Sequence, residues 1–198
     1  MGIRPLTRVI LVIAAAPLCA CAVPELTISV FNGVGATESV IRKSIGAASA
    51  AFRSAGISTR WVVCDPGGCD RKRPDGGEYL EIFILPRQVA PLPNGAIGNF
   101  AGSAIVNGGL AHPRGYAFYD VVQAVAFRTL RPMELVLACV IVHEAGHLLG
   151  LSHQAHGAMR ASLDPEDIDG LQMGLAFCSG EKKKLRIATE RAASLARR

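Results

Sequence analysis

At 198 residues, half of them apolar, the chain is long enough for one domain with a sizeable core. Its net charge of +5 sits at the ends: residues 1–22 hold two arginines, and residues 181–198 hold seven basic against two acidic side chains. The remaining 23–180 is close to neutral, with twelve basic and fourteen acidic residues, which excludes a basic face for nucleic acid.

Arg4 and Arg8 precede an apolar run, Val9 to Leu18, followed by Cys19-Ala20-Cys21-Ala22. Residues 1–22 read as an export signal, too short for a comfortable membrane span. Two processing routes stay open. Ala20-Cys21-Ala22 fits cleavage before Val23, giving a secreted or periplasmic protein. Leu18-Cys19-Ala20-Cys21 resembles a lipobox, which would leave Cys21 acylated as a membrane anchor on a cell-surface or periplasmic lipoprotein. Export makes disulfides the expectation for the remaining four cysteines. Cys64 and Cys69 flank the turn Asp65-Pro66-Gly67-Gly68 and are expected to bridge, whereas Cys139 either pairs with Cys178 or sits buried and free.

Residues 23–178 read as the main domain and 179–198 as a basic C-terminal helix. Leu26 to Phe31 alternates and is rich in β-formers, which predicts a first strand, with a turn at Asn32-Gly33-Val34-Gly35. Thr37 opens a helix with Val40, Ile41, Ile45, Ala48 and Phe52 on one stripe, ending near Gly56. Arg60–Val63 and Tyr79–Leu85 are further strands, separated by the loop Asp65–Gly77, whose Arg71-Lys72-Arg73 run reads as a solvated patch. Strand, helix, strand and strand imply a mostly parallel sheet. A long loop is expected over Gln88–Gly102, a short apolar piece at Ser103–Val106, and a strand at Tyr116–Val122. An apolar helix then spans Met133 to Leu151. Asp164 is a plausible N-cap for a helix with Pro165 at its first position, and Glu166 and Asp167 suit its positive end, a simpler reading of these acids than calcium. Ser179 is expected to cap the last helix, Glu181 to Ala196, which either packs on the domain or touches an anionic lipid surface.

The organising stretch is His143-Glu144-Ala145-Gly146-His147-Leu148-Leu149-Gly150-Leu151-Ser152-His153. His143 and His147, four apart on a helix, project from the same face and can reach one ion. Gly150 lets the chain turn back, bringing His153 as a third nitrogen ligand. Three imidazoles leave a tetrahedral Zn²⁺ with an open position, the arrangement of a catalytic site. Water held there is easier to deprotonate, and Glu144 is placed to accept its proton. His156 reads either as solvent-exposed or as a residue supporting the ligands from behind, because the glycine-to-histidine spacing selects His153.

This string, followed six residues later by Met159, resembles the metzincin clan of zinc endopeptidases. The resemblance implies that His143, His147 and His153 are the metal ligands of one catalytic zinc, Glu144 the general base, and Met159 the Met-turn residue beneath the metal. It also implies an α/β single domain: a twisted mixed sheet with an antiparallel edge strand, a zinc-binding helix, the Met-turn and C-terminal helices. That edge strand, which would pair with substrate backbone, is placed in Ala104–Ala111. Gly109-Leu110-Ala111-His112 and Leu163–Gln172 further resemble the matrixin subgroup. In matrixins such a His binds a second, structural zinc, but its companion ligands do not occur here, so one zinc is expected. Arg160 to Leu163 is expected to border the pocket for the residue after the cut. No cysteine-switch propeptide fits ahead of the first strand.

The reading is an exported, monomeric zinc metalloendopeptidase acting on proteins or peptides, with membrane attachment through Cys21 or the basic helix. The rivals are a non-catalytic tethered module that keeps zinc as a scaffold, and a zinc amidase acting on a cell-wall peptide.

Overall fold

The computed structural model describes residues 25–64, 69, 78–89, 102–105 and 113–195. The segment expected to be an export signal, with Cys19 and Cys21, the Arg71–Arg73 run and His112 lie outside these residues. The strand β1 (Glu25–Asn32) is followed by α1 (Glu38–Ser54), β2 (Ser58–Cys64), β3 (Glu78–Leu85), β4 (Gly102–Ile105) and β5 (Arg114–Phe118). Four further helices follow: α2 (Tyr119–Thr129), α3 (Met133–Leu148), α4 (Pro165–Gln172) and α5 (Ser179–Leu195).

The five strands form one mixed sheet in the order β2-β1-β3-β5-β4. β2, β1, β3 and β5 run parallel, and β4 closes one edge antiparallel to β5 in the register Gly102↔Ala117 to Ile105↔Arg114. Alternation decides which side chains are buried together. Leu26, Ile28 and Val30 of β1 lie beside Leu80 and Ile82 of β3 on one face, all fully buried in the core with α1 and α3. α1 begins as the sequence predicts, with the Thr37 hydroxyl accepting from the Val40 N–H.

α3 is the central element. Leu135 to Val142 are buried without interruption, so this helix is apolar all round and packs against α1, α2, α4 and β5 at once. Nearly every helical position that does not face a ligand is therefore committed to packing. The Cys139 thiol, fully inside this core, is free, and burial pushes its pKa up to about 12, which leaves it an inert thiol. Cys178 is free and exposed, so the two do not pair, while Cys64 and Cys69 are bridged across a Cα separation of 4.8 Å.

Three expectations need correction. The strand expected at Tyr116–Val122 ends at Phe118, and α2 begins at Tyr119. Val121 and Val122 favour strands locally, but Val122, Val125 and Ala126 fall on one buried helical face, and the Asp120 carboxylate accepts the Arg87 N–H at 3.0 Å. The edge strand begins at Gly102, two residues before the expected Ala104, and 106–112 lie outside the described residues. Ser179 is the first residue of α5 rather than its cap. The capping contact is the Cys178 N–H donating to the Glu181 carboxylate at 2.7 Å.

α2 ends on Leu130, a non-glycine residue at φ 54° in the left-handed region. That conformation costs an L-residue with a Cβ roughly 1–2 kcal/mol. Leu130→Asn, which tolerates it, is expected to raise the midpoint of thermal unfolding by about 2–4 °C, measurable by calorimetry.

Candidate metal centre and active site

The last two turns of α3 carry His143 and His147. The helix then stops: the N–H groups of Leu149, Gly150 and Leu151 cap its final carbonyls, with Gly150 at φ 84°. This reversal brings His153 back toward the helix. The three imidazoles converge: His147 Nε2 lies 2.9 Å from His143 Nε2 and 3.1 Å from His153 Nε2. Among the described residues, this is the one cluster of three metal-ligating side chains. His156 is exposed and stands outside it.

Hydrogen bonds behind the rings fix their tautomers. His143 Nδ1 lies 2.7 Å from the Ala158 carbonyl and His147 Nδ1 lies 2.9 Å from that of Leu151. A carbonyl can only accept, so both Nδ1 atoms carry protons, and the neutral rings present lone pairs at Nε2. Two such lone pairs facing each other at 2.9 Å repel unless a cation lies against both. Protonation is not the remedy at His143, where burial lowers the pKa to about 4. His153 is also lowered, by burial and then by His147. Tetrahedral zinc, with Zn–N near 2.0–2.1 Å, requires ligand nitrogens about 3.3 Å apart. The donor set therefore fits one zinc ion through His143, His147 and His153.

The floor of the site is the turn at 157–160. Met159 is fully buried, and a Cβ added at Gly146 would collide with its sulfur and come within 3.2 Å of its Cε. Gly146, which lies between the two helical histidines in sequence, is thus the position on α3 that admits the thioether. Asp167 holds this turn from α4. One oxygen accepts the Gly157 N–H at 2.8 Å, the other closes a capping box with the Asp164 N–H, and Arg160 pairs with both Asp164 and Asp167. Hydrogen bonding from the Asp167 backbone, aided by Arg160, holds the Asp164 carboxyl below its ordinary value. The acidic cluster is thereby accounted for by capping and by support of the Met159 turn.

Glu144 is buried under the edge strand. A Cβ added at Gly102 would meet its carboxylate, lying 2.8 Å from Cδ, and one at Gly115 would lie 3.0 Å from its Cβ. These two glycines make the room in which the carboxylate sits. Its Oε2 is buried without a hydrogen-bond partner among the described residues, and burial pushes the carboxyl pKa up to about 8. A dication at the three Nε2 atoms acts in the opposite direction, favouring the carboxylate. The roles of Gly102, Gly115, Gly146 and Asp167 in the site escaped the sequence reading, because each is set by a tertiary contact.

Two of the perturbed groups, His143 and Glu144, give a pH signature in chelator-treated protein. His143, with its folded pKa below the unfolded value, adds stability as pH rises from about 4 to about 6.5. Glu144, raised in the folded state, subtracts stability as pH rises from about 4.5 to about 8. Above pH 6.5 only the second slope remains. A loss on the order of 2 kcal/mol between pH 6.5 and 8 is expected in denaturant titrations, and Glu144→Gln should flatten it.

The chain is similar in structure to an archaemetzincin from Methanopyrus kandleri, with a TM-score of 0.53 and 13% identity over 85% of this chain and 97% of that one. It is also similar to a zinc-dependent peptidase from Methanocorpusculum labreanum (strain Z), with a TM-score of 0.50 and 14% identity over 80% of this chain and 99% of that one. No protein-family model and no curated protein matches the sequence. At these identities the likeness establishes the fold alone: a mixed α/β single domain similar to that of these two proteins.

Proposed function

We propose that this chain is an exported zinc-dependent metalloendopeptidase. The observation that carries the reading is the convergence of three Nε2 lone pairs, with a buried carboxylate on the neighbouring residue of the same helix. The archaemetzincin-like fold agrees with it. His143, His147 and His153 hold the ion, and carbonyls 158 and 151 keep the first two imidazoles in the ligating tautomer. Zinc bound there supplies Lewis acidity toward the scissile carbonyl and eases deprotonation of water. Glu144 takes up that proton and returns it to the departing amine. The outer side of β4, at the sheet edge, offers peptide N–H and C=O groups to an extended substrate, directly above Glu144.

Finer features belong to the same proposal. Met159 serves as the Met-turn residue, and Gly109–His112 with Leu163–Gln172 place the chain nearest the matrixins in pattern. The protein acts as a monomer, periplasmic, cell-surface or secreted, after removal of residues 1–22 or acylation of Cys21. The direct test is digestion of an unstructured peptide library by the zinc-loaded protein, read by mass spectrometry. Internal cuts abolished by chelation are expected. Trimming at chain ends alone, or cleavage confined to cell-wall peptides, would replace the endopeptidase reading.

A further inference from the structure

We propose that the helical side of the molecule, formed by the C-terminal ends of α1, α2 and α4 together with α5, docks on an anionic lipid surface. The first sign is the placement of exposed apolar side chains. Phe127 and Leu130 at the end of α2 are 84% and 82% exposed, and Met173 and Leu175 after α4 are 66% and 64% exposed. Three contacts join these sites to one another and to α5. Arg131, next to Leu130, donates through Nε and Nη2 to the two carboxylate oxygens of Asp169, one helical turn before Met173. Gly174, between Met173 and Leu175, faces Ser54 at the end of α1, and Gly56 just beyond faces the stem of Arg186 on α5. Beside Arg186, Ile187 is exposed as well.

Folding alone gives no reason for this arrangement. Leu130 occupies a left-handed backbone position that suits glycine or asparagine and contributes almost nothing to the core. A local rule broken without structural gain points to use of the side chain elsewhere. Large apolar tips grouped on a surface mark an interaction site.

Charge selects the occupant. On the joined elements Arg42, Lys43, Arg53, Arg128, Lys183, Lys184, Arg186 and Arg191 are exposed, against Glu38, Asp120, Glu166 and Glu190. Apolar tips among an excess of cations match the boundary between headgroups and acyl chains of an anionic bilayer. A second copy of the same face would set like charges against like. The chain also enters the fold here: Glu25, the start of β1, pairs with Ser58, two residues after the Gly56 turn that contacts Arg186. The apolar segment Val9–Leu18 precedes it in sequence.

The inference takes only export from the proposed function, and it is read without any hydrolysis. In the full chain carrying Trp61→Phe, which removes the sole tryptophan, a new tryptophan is placed by Phe127→Trp or, as a control at the β2 edge, by Val63→Trp. Both are mixed with phosphatidylglycerol vesicles whose acyl chains carry bromine as a quencher. Fluorescence is expected to drop at least about twofold at position 127 and little at 63. Adding Leu130→Asn, which should fold at least as stably, is expected to weaken the quenching at 127. Equal quenching at the two positions would show attachment through the N-terminal segment alone and overturn the proposal. So would a concentration-dependent blue shift at 127 without vesicles, which would assign the face to a second copy of the chain.

Discussion

Glu144→Gln is expected to lower peptide hydrolysis by roughly 10²- to 10⁴-fold while zinc remains bound at one ion per chain. The amide is nearly the same size as the carboxylate, so it keeps the packing beneath Gly102 and against Gly115. It cannot take up a proton, and that is the function assigned to the group. It also removes a buried ionisable group whose Oε2 lacks a partner among the described residues, so the variant should be at least as stable as the parent in chelator near pH 8. Parallel measurement of turnover, metal content and unfolding separates these effects. Retained turnover would remove Glu144 from the role of base.

His147→Ala is expected to abolish both zinc retention and activity. His147 is the central member of the cluster, within 3.1 Å of both partner nitrogens, and its other nitrogen is tied to the Leu151 carbonyl. Loss of an outer-shell partner alone weakens metal binding by about 10- to 100-fold, and loss of the ligand itself should exceed that. Zinc-dependent stabilisation should go as well. At a thousandfold excess over Kd the ion adds about 4 kcal/mol to the parent, and the variant should unfold at the same temperature with and without zinc. A variant that keeps full zinc stabilisation would show that the ion binds elsewhere.

Much of this architecture was legible in local pattern. β1, β2 and β3 announced themselves by β-branched and aromatic runs between Gly-rich turns, α1 by its stripe and its Thr37 cap, and α4 by Asp164-Pro165. The ligand histidines were legible because helical spacing and the break at Gly150 set where they point before any tertiary contact forms. What stayed hidden depends on partners far along the chain. Val121-Val122 reads as strand until the buried face Val122, Val125 and Ala126 is set against α3. Gly146 looks like a weak helix residue, and only the fully buried Met159 thioether explains it. Gly102 lies 42 residues before the carboxylate it accommodates, so local pattern gives no reason for a glycine there. Asp167 reads as an ordinary acid near a helix start, yet it also accepts the Gly157 N–H and so steadies the carbonyl of Ala158 on which His143 depends.

Ligation of a single ion by three imidazole nitrogens is tested most directly by zinc-edge X-ray absorption on the purified, zinc-loaded protein. The expected spectrum shows one zinc per chain with three nitrogen neighbours at about 2.0–2.1 Å, imidazole outer-shell scattering and an additional light scatterer. Sulfur neighbours near 2.3 Å, or fewer than two imidazoles, would place the metal away from residues 143, 147 and 153 and contradict the site.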